Sequence, residues 1–215
     1  MATGVWFRRD LRIEDNGAVA RAIESASSRG EGTFGVFVYD PLILSQSMSH
    51  HRLSYLRGAL EALDRRMEGA LNTEYGDPLT VLPEWCERNG ITDLYLAEDF
   101  SGASRRRDRA VGDELSRRGV RMHVVDQPTV APVGSILKPD GTPYQVFTPY
   151  FKAWRAKLMP VEEDLTPTTL KWRFASKVAL PAILAEVPAD DAAGEEGARS
   201  KWEDYKRGGL SSYGE

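Results

Sequence analysis

The sequence is poor in cysteine and contains no long apolar run. Its 215 residues include one cysteine, Cys86, which excludes a disulfide framework and any zinc or iron–sulfur site built from cysteines. No apolar run approaches the ~20 residues of a membrane span, and residues 1–12 carry charge where a signal peptide needs an apolar core. We therefore expect a cytoplasmic protein with no membrane partner.

Several common catalytic and nucleotide-binding motifs are also missing. The glycine-rich loop G-x-x-x-x-G-K-[ST] that cradles triphosphates does not occur, and the one G-x-G-x-x-G match, at residues 30–35, falls at the start of a predicted strand instead of at a strand-to-helix turn. No serine lies in a G-x-S-x-G context, so hydrolase chemistry has no support. The histidines number three, and their spacing favours a surface pair (His50 and His51) and a strand residue (His123) over metal ligands. We predict no metal site and no catalytic residues of these kinds.

The net charge of −4 is concentrated late in the chain. Residues 1–159 carry 21 basic and 21 acidic side chains, whereas residues 160–200 carry 4 basic and 8 acidic ones. Because neutralising phosphates requires a net basic face, DNA binding by this chain alone is disfavoured. The arginine-rich run at 105–109 is interspersed with carboxylates along its helix, which favours a solvated face over a phosphate grip.

Five apolar, β-prone runs alternate with helical patterns. The predicted strands are 3–7, 33–39, 71–75, 93–97 and 121–125, and the predicted helices are 16–26, 49–67, 79–89 and 102–118. This alternation predicts an α/β fold: a Rossmann-like five-stranded parallel sheet with helices on both faces. Ligands of such sheets bind beyond the carboxyl ends of the strands, near the switch point in strand order. The loops of interest are therefore 8–15, 39–49, 76–78, 98–104 and 126–129.

The character of the sequence changes after residue 125. A length of 215 residues corresponds to about 1.4 average domains, which suggests one domain plus an appendage. We predict an α/β domain over 1–130, then a Pro/Gly-rich segment with an aromatic helix packed on it over 131–159. Residues 160–215 begin with four prolines and the excess acid, and we predict an irregular linker there, wrapped on a surface or partly disordered.

Three motifs, in order, resemble those of the DNA photolyase/cryptochrome family. Residues 6–16, WFRRDLRIEDN, match every fixed position of the family's W-F-R-x-D-L-R-x-x-D-N opening. Residues 141–150, GTPYQVFTPY, resemble its G-x-x-Y-x-V-[FY]-T-P-[FY] segment, and residues 105–108 resemble its R-x-R-D. The resemblance covers about residues 3–158, and it implies the N-terminal α/β domain that holds a light-harvesting antenna chromophore.

The resemblance also implies a second domain and its chemistry. In photolyases a helical domain holds FAD and splits pyrimidine dimers in DNA by light-driven electron transfer. The sequence stops where that domain would begin, so we expect a truncated chain that is not catalytic by itself and meets DNA only through the FAD-binding helical domain. The face that packs on this partner is expected to be apolar, and it offers a surface for self-association.

The nature of the antenna follows from the same resemblance. Folate-type members carry an Asn-Glu pair before R-x-R-D, and Ala103 and Ser104 occupy those positions here, which argues against folate. The sequence is more similar to deazaflavin-type members, so 8-hydroxy-5-deazaflavin or FMN is the expected antenna, with FAD confined to the full-length parent. Carried over, the binding residues are Phe37, Val38, Asp40, Leu42, Arg52 and Asp99. Ser101 replaces a glutamate of the family, which leaves a relaxed site that takes FMN, or an empty site, as alternatives.

The residue types at these positions are compatible with an antenna site at the strand ends, but they leave other roles open. Asp99 follows a buried strand, where its carboxylate can accept from a ring N–H or ribityl hydroxyl, although a helix-capping role explains it equally well. Arg52 can pair with a carbonyl or phenolate, or it is a surface arginine. The hypothesis is the antenna domain of a deoxyribodipyrimidine photo-lyase. The alternatives are a fragment of a cryptochrome-type light sensor and a stand-alone nucleotide-binding or interaction module.

Overall fold

The structure, a computed structural model, describes residues 1–45, 49–126, 131, 133–157, 171–209 and 211. Some features predicted from the sequence lie outside those ranges: the domain boundary at residue 130, part of the loops at 46–48 and 127–129, the start of the linker over 160–170, and the last residues, 212–215.

Strands and helices alternate through the first part of the chain. The elements are β1 (Ala2–Phe7), α1 (Gly17–Ser27), β2 (Thr33–Tyr39), α2 (Pro41–Leu44), α3 (His50–Arg66), β3 (Leu71–Tyr75), α4 (Pro78–Arg88), β4 (Ile91–Ala97), α5 (Gly102–Arg117) and β5 (Arg121–Val125). The strands lie in the order β3-β2-β1-β4-β5 and pair in parallel, which confirms the predicted α/β fold.

Strand order reverses between β1 and β4. The chain runs from β1 outward through β2 to β3, then returns to the other side of β1 to form β4 and β5. The two loops that leave β1 and β4 therefore diverge to opposite sides of the sheet. Their divergence opens a crevice at the carboxyl edge, the place where parallel sheets commonly bind ligands.

Alternate residues of β1 serve two separate cores, one on each face of the sheet. Val5 and Phe7 pack into the cluster beneath α1 and α3, whereas Trp6 packs into the cluster beneath α4 and α5. This two-sided burial explains why β1 and β2, which are buried along their whole length, are largely apolar runs in the sequence. In β2, Gly35 provides room for Met67, whose terminal methyl lies where a β-carbon would stand.

The segment from 171 to 204 returns to the domain after the helix α6 (Phe147–Ala156). We call these residues the strap; it contains β6 (Trp172–Arg173), α7 (Ala182–Ala185) and α8 (Gly194–Asp204), and a π-helical turn (Tyr205–Gly209) follows it. Strand β6 pairs in parallel with the first two residues of β2, so a short sixth strand joins the predicted five. Leu184 and Val187 are buried in the core beneath α3.

Asn72 of β3 fixes the point where the strap leaves the sheet edge. Its side-chain amide donates to the carbonyls of Gly35 (2.9 Å) and Arg173 (3.1 Å), and its carbonyl accepts from the amide of Ala175 (2.7 Å). Asn72 is fully buried, and these partners satisfy a side chain that would otherwise be costly to bury. One residue thereby joins β2, β3 and the strap.

Helix α6 presents its aromatic side chains outward. Phe147 stacks on Phe151 with ring centroids 5.6 Å apart, Phe151 stacks on Trp154 at 5.9 Å, and α6 has no buried residue. The helix is therefore an unusually apolar exposed element. Neither α6 nor any other helix in the described ranges is long and apolar enough to cross a bilayer.

Candidate functional site

The loop between β1 and α1 is held by its own side chains. The buried carboxylate of Asp10 accepts from the amide of Arg8 (3.0 Å) and from the side chain of Asn16 (3.1 Å). The carbonyl of Asn16 caps α1 by accepting from the amide of Ala18 (3.1 Å). Asp15 has a φ of 49°, a left-handed conformation that asparagine and aspartate tolerate. The loop therefore has a defined shape before any ligand arrives.

Arg8 connects this loop to α5. Its guanidinium pairs with the carboxylate of Asp108 at 2.6 Å and donates to the carbonyl of Ala97 at the end of β4. Arg107 binds the same carboxylate at 2.8 Å. Both guanidinium carbons lie about 5 Å from the ring centre of Trp6, within cation–π range. The carboxyl ends of β1 and β4 are thus connected by one buried ionic cluster.

A cavity of about 270 Å³ opens beside this cluster, at the carboxyl ends of β1 and β4. It combines three guanidinium groups, three carboxylates and two apolar side chains, and its lining residues are Arg8, Arg9, Asp10, Arg12, Ala97, Glu98, Asp99 and Phe100. This is the crevice expected from the reversal in strand order. A mixed lining of this kind suits a planar ring that carries polar substituents.

Asp99 is the most strongly engaged carboxylate of the cavity. It accepts from the amide of Ser101 (3.0 Å) and the hydroxyl of Ser104 (2.9 Å), and the guanidinium of Arg9 lies 3.5 Å away. Burial acts to raise the pKa of Asp99, but these hydrogen bonds and the nearby arginines outweigh it and hold that pKa below its ordinary value. Asp99 is therefore a fixed anion and acceptor at the cavity wall.

Glu98 lies beside Asp99 and behaves in the opposite way. A hydrogen bond with the carboxyl group of Asp126 raises the pKa of Glu98, and burial and the charge of Asp126 act in the same direction. Arg105 lies 3.7 Å away and partly offsets this. At the cavity rim the neighbouring carboxyl groups of Glu98 and Asp99 therefore have pKa values shifted in opposite directions, upward for Glu98 and downward for Asp99.

The structure brings Asp99 and Ser101 together and places the other five site residues expected from the sequence elsewhere. Ser101 is the N-cap of α5, and its hydroxyl accepts from the amide of Ser104 at 3.1 Å. Asp40 caps α2 by accepting from the amide of Leu42 at 2.8 Å, and Leu42 is 71% exposed. These last two residues lie at the end of β2, on the far side of β1 from Asp99.

Phe37, Val38 and Arg52 occupy three different environments. Phe37 is buried on the α3 side of the sheet, where its ring meets that of Tyr39 edge-on at 5.3 Å. Val38, as the next residue in the strand, is buried on the opposite face. Arg52 is exposed in the first turn of α3. Of the seven expected site residues, Asp99 is the one that lines the cavity.

Reasoning from the sequence did not name the arginines of the cavity. Arg8, Arg9 and Arg12 follow β1 directly, and they belong to the first motif shared with the family. Their position after a buried strand was a sufficient signal, because that loop was among those expected to face ligand. Glu98 and Asp99 follow β4, so their proximity to these arginines becomes evident only when β1 and β4 are known to be neighbouring strands.

Other titratable groups are held in structural contacts. Asp93 of β4 accepts from Arg121 (2.9 Å) and from the ring of His123 (2.9 Å) on β5, and that ring stacks on Tyr95 at 4.4 Å. Burial raises the pKa of Cys86 to about 12, so its thiol is inert. Within the described ranges, His, Cys, Asp and Glu form no group of three that could hold a metal ion.

The sequence profile of the family described as DNA photolyase matches residues 3–169. The deoxyribodipyrimidine photo-lyase of Synechococcus sp. (strain ATCC 27144) is 33% identical over 190 residues, which cover 85% of this chain and 38% of that enzyme. The chain thus spans less than half the length of this curated relative.

Solved structures show the same fold. The bacterial class III photolyase from Agrobacterium tumefaciens superposes with a TM-score of 0.78 at 22% identity, over 97% of this chain and 45% of that protein. The archaeal photolyase from Sulfolobus tokodaii, crystallised with two FAD molecules, superposes with a TM-score of 0.66 at 22% identity, over 80% of this chain and 39% of that protein.

Proposed function

The chain belongs to the DNA photolyase family, and we propose that it is the light-harvesting part of a deoxyribodipyrimidine photo-lyase. In this proposal the cavity at the ends of β1 and β4 binds an antenna chromophore. The full-length enzyme carries FAD in a separate helical domain, which contacts DNA and splits the pyrimidine dimer. This chain contributes no catalytic residue of its own to that step.

The observation that supports an antenna site is the cavity lining. A deazaflavin or flavin ring carries carbonyls and ring nitrogens, so it needs both donors and acceptors around an apolar plane. Arg9 and Arg12 supply donors, Asp99 supplies an acceptor that stays ionised, and Phe100 supplies a flat apolar face. The cavity volume of about 270 Å³ is just below the usual ligand range of ~300–1,000 Å³, which suits a ring system whose tail extends into solvent.

The chromophore supplies light absorption and passes its excitation to the FAD of the parent enzyme. The residues of this chain bind and orient it. Asp99 would accept from a ring N–H or ribityl hydroxyl, and Ser101 fixes Asp99 by donating its amide at 3.0 Å. Asp40, Leu42 and Arg52 remain proposed contacts on the β2 side, and Phe37 and Val38 support that strand end from opposite faces of the sheet.

We assign the chromophore to 8-hydroxy-5-deazaflavin or FMN. Ala103 and Ser104 stand where folate-binding members carry Asn-Glu, and Ser104 is committed to Asp99 by a 2.9 Å hydrogen bond. Ser101 replaces the glutamate of deazaflavin-type members and removes one negative charge, which favours acceptance of FMN with its phosphate. The Sulfolobus tokodaii photolyase with its two FAD molecules is a relative in the same fold that holds a second flavin.

The exposed aromatic face of α6 suits the partner domain. Phe147 is 73% exposed, and Tyr150 and Phe151 lie on the same helix and are also exposed. We propose that this face packs against the FAD-binding helical domain. The alternative is that a second copy of this chain covers it. Analytical ultracentrifugation of the chain with and without a Phe147→Ser replacement distinguishes a monomer from a dimer formed through α6.

The absorption spectrum of the purified chain tests this function. We expect a chromophore band near the visible edge, with deazaflavin or FMN released on denaturation and identified by mass spectrometry. Release of an adenine nucleotide instead would favour a nucleotide-binding module. We also expect no light-dependent splitting of thymine dimers by the chain alone, and splitting by the chain alone would contradict the assignment of catalysis to another domain.

A further inference from the structure

The strap contacts the loop between β1 and α1 through the side chain of Glu195. This residue lies in the first turn of α8, and its carboxylate accepts from the amides of Ile13 (3.1 Å) and Glu14 (2.9 Å). The Glu195 side chain is 13% exposed, so water competes little for these hydrogen bonds. A carboxylate bound to two successive backbone amides holds their peptide planes in one orientation.

A guanidinium group of α3 balances the acids at this junction. Arg66 lies 2.7 Å from the carboxylate of Glu14 and 3.9 Å from that of Glu195, and Arg199 of α8 also pairs with Glu14. The loop after β1, α3 and the strap therefore meet in one ionic cluster. Such a cluster favours the docked strap and opposes movement of the loop away from α3.

The peptide groups that bind Arg12 directly follow the peptide groups that Glu195 holds. The Arg12 guanidinium donates to the carbonyl of Glu14 at 3.2 Å and to that of Asp15 at 2.8 Å. Arg12 also lines the cavity. A continuous set of contacts therefore runs from Glu195, through the peptide groups at 13–15, to a guanidinium at the cavity wall.

The position of Glu195 is itself determined by close packing. A β-carbon at Gly58 of α3 would overlap the carbonyl oxygen of Asp190, and the amide of Asp190 donates to the carbonyl of Ser54 at 3.1 Å. Gly194, with a φ of 83°, places the chain directly against Ala62. The residue before Glu195 therefore has little freedom, and its carboxylate reaches the loop from a rigid base.

We propose that Glu195 is a positioning residue for the cavity, acting through Arg12. This rests on the proposed function only in taking the cavity as the ligand site. Docking of the strap then sets the donor geometry that the ligand meets, and a bound ligand stabilises the docked strap by the same amount, because coupling between two binding events is reciprocal. The strap is in this way a structural link between the antenna site and the chain that follows it.

The test compares Glu195→Gln with Glu196→Gln in the full chain. Glu196 is the next residue of α8, carries the same charge and is exposed, so it is a matched control. The first measurement needs no ligand: hydrogen exchange of the amides of Ile13 and Glu14 and of the Arg12 Nε–H, followed by NMR. We expect all three to exchange about tenfold faster or more in Glu195→Gln, as loss of a charge-assisted hydrogen bond implies, and to be unchanged in Glu196→Gln.

The second measurement is the dissociation constant for FMN in Glu195→Gln, Arg12→Gln and the double variant. We expect Glu195→Gln to weaken binding about three- to tenfold and the double variant to lose little beyond Arg12→Gln alone, because both act through one guanidinium. Additive losses would overturn the proposal. So would faster exchange at Ile13 and Glu14 with an unchanged Arg12 Nε–H, since Glu195 would then only cap backbone. If the wild-type chain does not bind FMN, the FMN assignment fails, and the exchange result alone decides the role of Glu195.

Discussion

Arg8 and Asp108 lie 100 residues apart in the chain and form an ion pair 2.6 Å long. Both side chains are about nine-tenths buried, at 9% and 10% exposure. Arg8 belongs to the motif after β1, and Asp108 ends the R-x-R-D motif of α5. These two of the three family motifs are therefore one structural unit, and this unit holds Arg8 at the cavity wall.

Replacing Asp108 by Asn should destabilise the fold strongly. Arg8 and Arg107 would keep their charges with no buried anion between them, and breaking a buried pair in this way costs about 3–5 kcal/mol. The measurement is the free energy of unfolding from urea titration. Arg21→Gln is the control, because the Arg21–Glu24 pair is exposed and its loss is expected to cost at most about 1 kcal/mol. Equal effects of the two replacements would show that the Arg8–Asp108 pair is not a central stabilising contact.

Replacing Gly58 by Ala should undock the strap. In an ordinary helix the change from Gly to Ala stabilises by about 0.5–1 kcal/mol, but here the new β-carbon would overlap the backbone of Asp190. We expect lower stability and faster tryptic cleavage within residues 171–204, followed by mass spectrometry. Gly102→Ala is the control, since its β-carbon would make an ordinary 3.6 Å contact with Arg106. An unchanged cleavage pattern in Gly58→Ala would mean that the strap does not depend on this close approach.

The pair of Asp93 with Arg121 and His123 should make stability fall in acid. Burial acts to raise the pKa of Asp93, but hydrogen bonds from these partners and Thr92 outweigh it, and the pKa lies well below the ordinary value of about 3.9. As the pH falls, the unfolded chain therefore protonates Asp93 before the folded chain does. The stability that Asp93 contributes is fully present above about pH 4 and is lost progressively as the pH falls below it.

Unfolding of Asp93→Asn between pH 2 and pH 6 checks this dependence. We expect lower stability than wild type at pH 6 and a smaller loss on acidification, because the titrating carboxyl group has gone. Arg121→Gln retains the carboxyl group but loses its main cation, so an intermediate slope is expected. Parallel wild-type and Asp93→Asn profiles would assign the acid sensitivity to other carboxylates.

The sheet was predictable because β1 and β2 are buried on both faces. Thr33–Tyr39 reads as a continuous apolar run, and each such run is closed by a turn and followed by a helical stripe. Periodicity does not report which strands are neighbours, however. The pairing of β1 with β4, which creates the cavity, depends on tertiary packing.

The contacts of the strap and of the cavity arginines could not be predicted from local sequence. Trp172–Arg173 is two residues long and pairs with β2 only because Asn72 and the edge of β3 receive the segment after it. Arg8 and Arg9 are adjacent and alike in sequence, yet the first is buried in an ion pair and the second has an 80% exposed side chain. Their different roles depend on carboxylates that lie ninety and 100 residues further along the chain.

The measurement that tests the central proposal most directly is a fluorescence titration of the purified chain with FMN and with 8-hydroxy-5-deazaflavin, in wild type, Asp99→Ala and Asp77→Ala. Asp77 is the matched control: it also follows a strand and caps the next helix, accepting from the amide of Leu79 at 2.9 Å, but it does not line the cavity. We expect saturable one-to-one binding of at least one of the two chromophores by wild type and by Asp77→Ala. We expect a loss of about tenfold or more in Asp99→Ala, the effect of removing one charge-assisted hydrogen bond. Absence of saturable binding by the folded wild-type chain, or equal affinities in all three proteins, would contradict an antenna site at the ends of β1 and β4.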